Sequence, residues 1–189
     1  IPADVQKADI HPGTLVGWYP GYLKHINAPD RRKAGRQVEQ FVKDFLSAKR
    51  PVLLAGGGVR SASAVEDVRD LGLDLQVPCL PTWNAIDVFT SDYERYRGRV
   101  GTYGGPGRNF AVQNSDLLLC IGTRLSGRIT GGLVESFARG AKKYIVDIDP
   151  ALLSPELQQV KGDVNIHCDA GDFISMLREE IGQPNFVRA

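Results

Sequence analysis

The chain has 189 residues, enough for one domain with a sizeable core, and its 23 lysines and arginines are balanced by 22 aspartates and glutamates. That near-neutrality gives no electrostatic reason to expect nucleic acid or an anionic membrane as a partner. No apolar run reaches the roughly 18 residues a membrane span needs, and no signal-peptide pattern opens the chain, so the expected setting is the cytoplasm. Residues 1 to about 30 mix His, Pro, Gly and aromatic side chains without a steady period, and read as an extended lead-in over a neighbouring surface. Within it, Ile1 to Gln6 looks like the end of a strand followed by a linker. Met176 is the only methionine, so the natural start of translation is expected upstream.

Asp30 is placed to cap a helix in which Ala34, Val38, Phe41, Val42 and Phe45 recur at helical spacing, with Lys and Arg opposite and Pro51 ending it. Val52 to Ala55 follows as a short apolar strand, with Gly56, Gly57 and Gly58 at its carboxyl end. The next helix is expected to start near Ser61 or Ser63 and to bury Val65, Val68 and Leu71, before a second strand around Leu75 to Leu80. Strand, glycine turn, helix and strand together open a doubly wound sheet. Pro81 to Asn109 is the least regular stretch, and Asn109 is placed to cap a short helix leading to Asp116. Leu117 to Ile121 then reads as a fully buried parallel strand closed by Gly122. Val134, Phe137 and Ala138 suit a helix packing back on the sheet, and Tyr144 to Ile148 another strand. A turn with Pro150 and Pro155 precedes a short strand at Val164 to His167. Asp169 is placed to cap the last helix, with Phe173, Met176, Leu177 and Ile181 facing inward. The alternation predicts an α/β fold: a Rossmann-like, open, mainly parallel sheet flanked by helices on both faces.

In such a sheet ligands bind beyond the carboxyl ends of the strands, near the switch in strand order. The loops expected at that edge are Gly56 to Arg60, Thr82-Trp83, Gly122 to Arg128 and Asp147 to Asp149. Three successive glycines permit close backbone approach to a diphosphate and offer amide donors at a helix start; they serve equally well as a structural turn. Val59, Arg60 and Ser61 follow them, so the run is not the GxGxxG fingerprint of a nicotinamide site. Arg124 and Arg128 are placed to reach phosphates or a neighbouring domain, or to form salt bridges. Asp147 ends a strand and suits a ribose or adenine contact, with turn capping by Asp147 or Asp149 as the alternative. Cys79, Cys120 and Cys168 lie far apart in apolar surroundings and read as buried free thiols. His11, His25 and His167 belong to no metal-ligand run. No GxSxG elbow is present, and no nucleophile, base and orienter are grouped.

Arg50 to Val59, Gly101-Thr102-Tyr103-Gly104, Asn109 to Asp116, Gly122 to Gly131, Asp147-Ile148-Asp149-Pro150 and Gly162-Asp163 occur in this order. With Ile1 to Gln6 they resemble the central domain of the acetolactate synthase (acetohydroxyacid synthase) family of thiamine-diphosphate-dependent enzymes, over nearly the whole chain. The resemblance implies a linker from a preceding domain at residues 1–30 and the central domain at 31–185. The catalytic N- and C-terminal domains would be further parts of the same polypeptide. In the family those domains carry an activating glutamate and a GDG-to-asparagine metal motif. Thiamine diphosphate and Mg²⁺ are therefore expected to bind outside this chain, which alone would catalyse nothing. The parent is expected to be a homo-oligomer that decarboxylates a 2-keto acid and joins the product to a second carbonyl compound.

FAD is the additional cofactor the resemblance allows. By that resemblance Gly56, Gly57 and Gly58 lie near its diphosphate and ribityl chain, with Thr82, Trp83, Gly101 and Tyr103 beside it. Arg124 and Arg128 match flavin-site arginines, Asp147 and Ile148 match positions around the adenine ribose, and Asp163 matches one that reaches the adenine. The sequence departs from the family pattern at Ser126-Gly127, in place of Asp-Asp, at Tyr103, in place of His, and at Gly105 to Arg108. Three other readings stay open: a free-standing FAD- or nucleotide-binding module, a structural domain with an empty crevice, and the central domain of a related 2-keto acid decarboxylase.

Overall fold

The structure, a computed structural model, describes residues 3–14, 29–183 and 186. Among them, five strands form one sheet: β1 (Pro51–Ala55), β2 (Cys79–Pro81), β3 (Leu117–Ile121), β4 (Lys142–Asp147) and β5 (Val164–His167). Their order is β2-β1-β3-β4-β5, and every pairing is parallel, so the expectation of a mainly parallel sheet holds in its strongest form. β1, β2 and β3 are apolar and buried throughout because both faces are covered there, whereas β4 and β5 also carry Lys142, Lys143, Asp147, Asn165 and His167. Successive residues alternate between two cores: Leu53, Ala55, Leu119 and Tyr144 belong to one, Val52, Leu54, Leu118 and Ile145 to the other.

Three helices cover the first core: α2 (Arg31–Ser47), α4 (Val65–Leu75) and α7 (Ala170–Ile181). Asp30 starts α2 by accepting hydrogen bonds from the amides of Arg32 and Lys33, both at 3.0 Å, which satisfies two of the donors a helix start leaves open. The spacing of Ala34, Val38, Phe41, Val42 and Phe45 then puts one stripe against the sheet, where all five are buried. Phe41 meets the ring of Tyr144 edge-on, with centroids 5.1 Å apart. Asp44 receives the Tyr144 hydroxyl and pairs with Lys142 Nζ at 2.6 Å, tying α2 to the start of β4. At the other end of the chain Asp169 caps α7, whose Phe173, Ile174 and Leu177 are buried, while Met176 and Ile181 pack at the edge of the core.

The second core has thinner cover. It is closed by α5 (Pro106–Gln113), through Val112, by the short helix that carries Ile129, and by irregular segments carrying Val100, Leu125, Phe137 and Val160. Here the helix expected around Val134 to Ala138 is a single 3-10 turn, Val134–Ser136, because Phe137 is extended (φ -70°, ψ 117°) and Ala138 then turns left-handed (φ 44°).

Other local differences have equally local causes. Ala3–Gln6 (α1) is a single helical turn instead of the end of a strand, with acidic Asp4 favourable in its first turn. Leu75 closes α4, whose cap Gln76 is left-handed, so β2 is confined to three residues. The helix expected from near Ser61 or Ser63 is α4, which starts at Val65, buries Val68 and Leu71 and packs Val65 against the core, while the glycine run itself opens a further short helix, α3 (Gly57–Ser61). Asn109 lies inside α5, which starts earlier because Pro106 suits the first helical position. The remainder of the lead-in, residues 15–28, lies outside the described residues.

Candidate functional site

The strand order reverses between β1 and β3. From β1 the chain moves outward to β2, then crosses back to β3 and continues to β4 and β5. Loops leaving the carboxyl ends of β1 and β3 therefore diverge, and a recess of about 1010 Å³ opens between them. Gly57, Gly58, Thr82, Trp83, Arg124, Arg128 and Asp147 all line it, so seven of the residues singled out from sequence meet in one place.

The glycines build the floor by letting two backbones touch. The Gly56 amide donates to the Ile121 carbonyl at 2.8 Å, and the Gly58 amide to the Gly122 carbonyl at 3.0 Å. A Cβ on Gly56 would sit 2.1 Å from the Gly122 oxygen, and one on Gly58 would sit 2.7 Å from the Gly122 Cα. Gly122 itself has φ 62°, which favours glycine. The structural-turn reading of the run is the one its hydrogen bonds realise. It is a structural turn that consumes the Gly56 and Gly58 amides, while Gly57 and Gly58 still present bare backbone to the recess.

One wall consists of α3 and the 3-10 turn Trp83–Ala85, anchored in the first core by buried Val59 and Ala85. The facing wall is Thr123 to α6 (Gly127–Thr130), anchored in the second core by Leu125 and Ile129. Leu125 is buried with φ 49°, a strained conformation for a branched apolar residue. That turn buries Leu125 in the core, and Arg124, Leu125 and Ser126 all border the recess. Arg124 and Arg128 are exposed, and among the described residues neither makes a salt bridge.

Gly101 and Tyr103 stand behind and beside this wall instead of lining it. Gly101, with φ 120°, bonds Asn109 through both its amide (3.1 Å) and its carbonyl (3.0 Å). It packs so closely on the Arg128 carbonyl that a Cβ would lie 2.5 Å away. Tyr103 is 82% exposed and meets Trp83, itself 44% exposed, edge-to-face with centroids 6.1 Å apart at the mouth of the recess.

Asp147 ends β4 half-buried. Burial raises its carboxyl above the ordinary aspartate range, and the charge of Asp149 pushes the same way, against the Asp149 amide and Arg124. Asp147 accepts from the Asp149 amide at 3.0 Å, and Asp149 caps the next 3-10 turn through Ala151. Ile148 is exposed beside it, with its carbonyl 3.0 Å from His167 Nε2.

Asp163 is the residue that the fold does not bring to this rim. It precedes β5, and its carboxylate accepts from the Lys143 amide at 2.8 Å, at the amino end of the sheet. The acidic residue that follows β5 on the recess side is Asp169, which caps α7 by accepting from Gly171 at 2.8 Å. Ser61, Asn84 and Leu152 also line the recess and were not singled out from sequence. The available signal for Asn84 was its place directly after Thr82-Trp83 at a strand end.

Elsewhere, a groove of about 740 Å³ runs along α4 and α7, but its cation, Arg178, already pairs with Asp70 and Asp74 at 3.3 and 3.0 Å. The three cysteines are free and buried, and burial pushes Cys79 up to about 12 and Cys168 up to about 11, so none presents a thiolate near neutrality. Among the described residues no three His, Cys, Asp or Glu side chains gather as metal ligands, and no helix is long and apolar enough to cross a membrane.

Residues 38–177 match the family model described as "Thiamine pyrophosphate enzyme, central domain". The chain is 37% identical over 182 residues to the acetolactate synthase large subunit of Corynebacterium glutamicum, covering 95% of this chain and 27% of that protein. It is 34% identical over 195 residues to a probable acetolactate synthase large subunit of Methanococcus aeolicus (99% and 30%). It is also 34% identical over 168 residues to acetolactate synthase isozyme 2 large subunit of Escherichia coli (87% and 29%). The chain thus spans less than a third of the length of these relatives. With the matched segment running from within α2 to within α7, the chain belongs to the central-domain family of thiamine pyrophosphate enzymes.

Proposed function

We propose that these residues form the central, cofactor-supporting domain of a thiamine-diphosphate-dependent enzyme of the acetolactate synthase type. The parent decarboxylates a 2-keto acid and joins the product to a second carbonyl compound, as a cytoplasmic homo-oligomer. Thiamine diphosphate, when bound with Mg²⁺, supplies the carbanion chemistry from sites in the N- and C-terminal domains of the same polypeptide. The recess does not react. Its role is to hold a phosphorylated cofactor against the rest of the enzyme, and FAD fits its donor set.

The observation that carries this reading is the gathering of Arg60, Arg124 and Arg128 around a bare glycine floor, with the half-buried Asp147 carboxylate lining the same recess. Arginine forks suit phosphate oxygens, exposed glycine backbone permits close approach, and a strand-end aspartate accepts from sugar hydroxyls. Asp147 and Ile148 would flank the ribose, with Thr82, Trp83 and Tyr103 near the ring system and Gly101 supporting the Arg128 turn. Asp163 would require a ligand reaching the far end of the sheet, and Asp169 replaces it as the acidic residue nearest β5's carboxyl end.

The test uses the full-length protein. Thiamine-dependent release of CO₂ from a 2-keto acid is expected, together with a carboligated product, whereas these 189 residues alone should show no turnover. Denaturing the purified protein and scanning the supernatant should reveal yellow flavin absorbance. A colourless, folded and active enzyme would remove FAD; turnover by the isolated chain would overturn the non-catalytic role.

A further inference from the structure

We propose that the ion pair between Arg60 and Asp87 is a latch on the recess, in which Asp87 competes with the ligand's phosphate for the Arg60 guanidinium. This rests on the reading that the recess takes a phosphorylated ligand. Arg60 closes α3 and lines the recess, yet its guanidinium is engaged within the chain: Nη1 donates to the Asn84 carbonyl at 3.0 Å and Nη2 pairs with Asp87. The pair therefore ties α3 to the far end of the turn that carries Trp83 and Asn84.

The two partners differ in how firmly they are held. The backbone at Asp87 is pinned by Arg69, which donates to the carbonyls of Val88 (2.6 Å) and Asp87 (3.0 Å) and pairs with Glu66 at 2.6 Å. Val88 and Phe89 behind it are buried. Arg60 is the end of a long, flexible side chain on a five-residue helix. Side-chain exposures of 46% for Arg60 and 65% for Asp87 leave the pair well solvated. Such pairs are weak, whereas a guanidinium–phosphate fork is charge-assisted and bidentate. A ligand with a diphosphate can capture Arg60 from Asp87; a neutral ligand cannot, and leaves the latch closed. Asp87 thus weakens the binding of phosphorylated ligands, which have to outcompete a resident carboxylate, and leaves neutral ligands unaffected.

The experiment titrates the full chain with FAD and with riboflavin, its diphosphate-free counterpart, at low ionic strength. Asp87→Asn should tighten FAD binding about two- to fivefold, the range of one exposed pair, and leave riboflavin unchanged. Asp87→Ser should do the same, guarding against an effect of the amide, and the gain should shrink in high salt. Arg60→Gln should weaken FAD binding and abolish the effect of Asp87→Asn in the double variant. Unchanged or weaker FAD binding by folded Asp87 variants would overturn the latch and leave the recess reading standing. If neither FAD nor ADP binds any folded variant, the recess reading falls and the latch with it.

Discussion

At the amino end of the sheet two aspartates accept hydrogen bonds from backbone amides, while at the carboxyl end a third accepts one as well but burial outweighs it. Asp116 accepts from the amides of Lys49 and Arg50, both at 2.8 Å, and its own backbone bonds reach Arg50 and Lys142. One residue thereby clamps the starts of β1, β3 and β4, and Asp163 does the same for β4 and the entry to β5. Burial acts to raise Asp116, but the Arg50 and Lys49 amides and the Arg50 charge outweigh it and hold the carboxyl below its ordinary range. Asp147, at the other end, is shifted upward by burial. The contrast teaches where this fold spends carboxylates on its own backbone and where burial leaves one less settled.

The largest expected effect tests whether the open end is nonetheless rigid at its floor. Gly122→Ala would force a side chain into a left-handed conformation with its Cβ 2.7 Å from Gly58 Cα. A loss of about 2–4 kcal/mol in urea unfolding is expected. Asp116→Asn comes next, at about 1.5–3 kcal/mol for hydrogen bonds to a charged acceptor. Because the folded Asp116 carboxyl is depressed, its stabilisation is complete above the ordinary aspartate value of 3.8 and is lost as pH falls through the folded value. Denaturant midpoints followed into acid should therefore fall less steeply in the variant. Asp163→Asn, an exposed single bond, should cost about 0.5–1 kcal/mol.

The smallest effect has the opposite sign. The folded Asp147 carboxyl is raised, so its contribution is most favourable below the unfolded value and declines as pH rises through the folded one. Asp147→Asn should raise the melting temperature slightly at pH 7 and lose that advantage in acid. If Asn at 116 and at 147 shifted stability in the same direction at neutral pH, the contrast between the two ends would fail.

Much of this was legible from residues alone. The five-residue stripe of α2, the caps at Asp30 and Asp169, and the uninterrupted apolar run of β3 are strong because periodicity, capping and burial agree. The rim loops were equally legible, since alternation of strands and helices fixes which ends of the strands face the crevice. What stayed hidden were features set by tertiary contact. Nothing local shows that Asn109 would bridge Gly101 instead of capping a helix, or that Ala138 would turn left-handed. Asp163 was matched by sequence motif, and only strand register reveals that it enters β5 at the end remote from the recess.

The two walls of the recess are rooted in different cores and meet where Gly56 and Gly58 rest on Gly122. A sliding of one packed layer past the other, even by a fraction of an ångström, has to change the aperture between them. Substitution of Val59, which is buried and does not line the recess, should accordingly tune its width as a fulcrum tunes the reach of a lever.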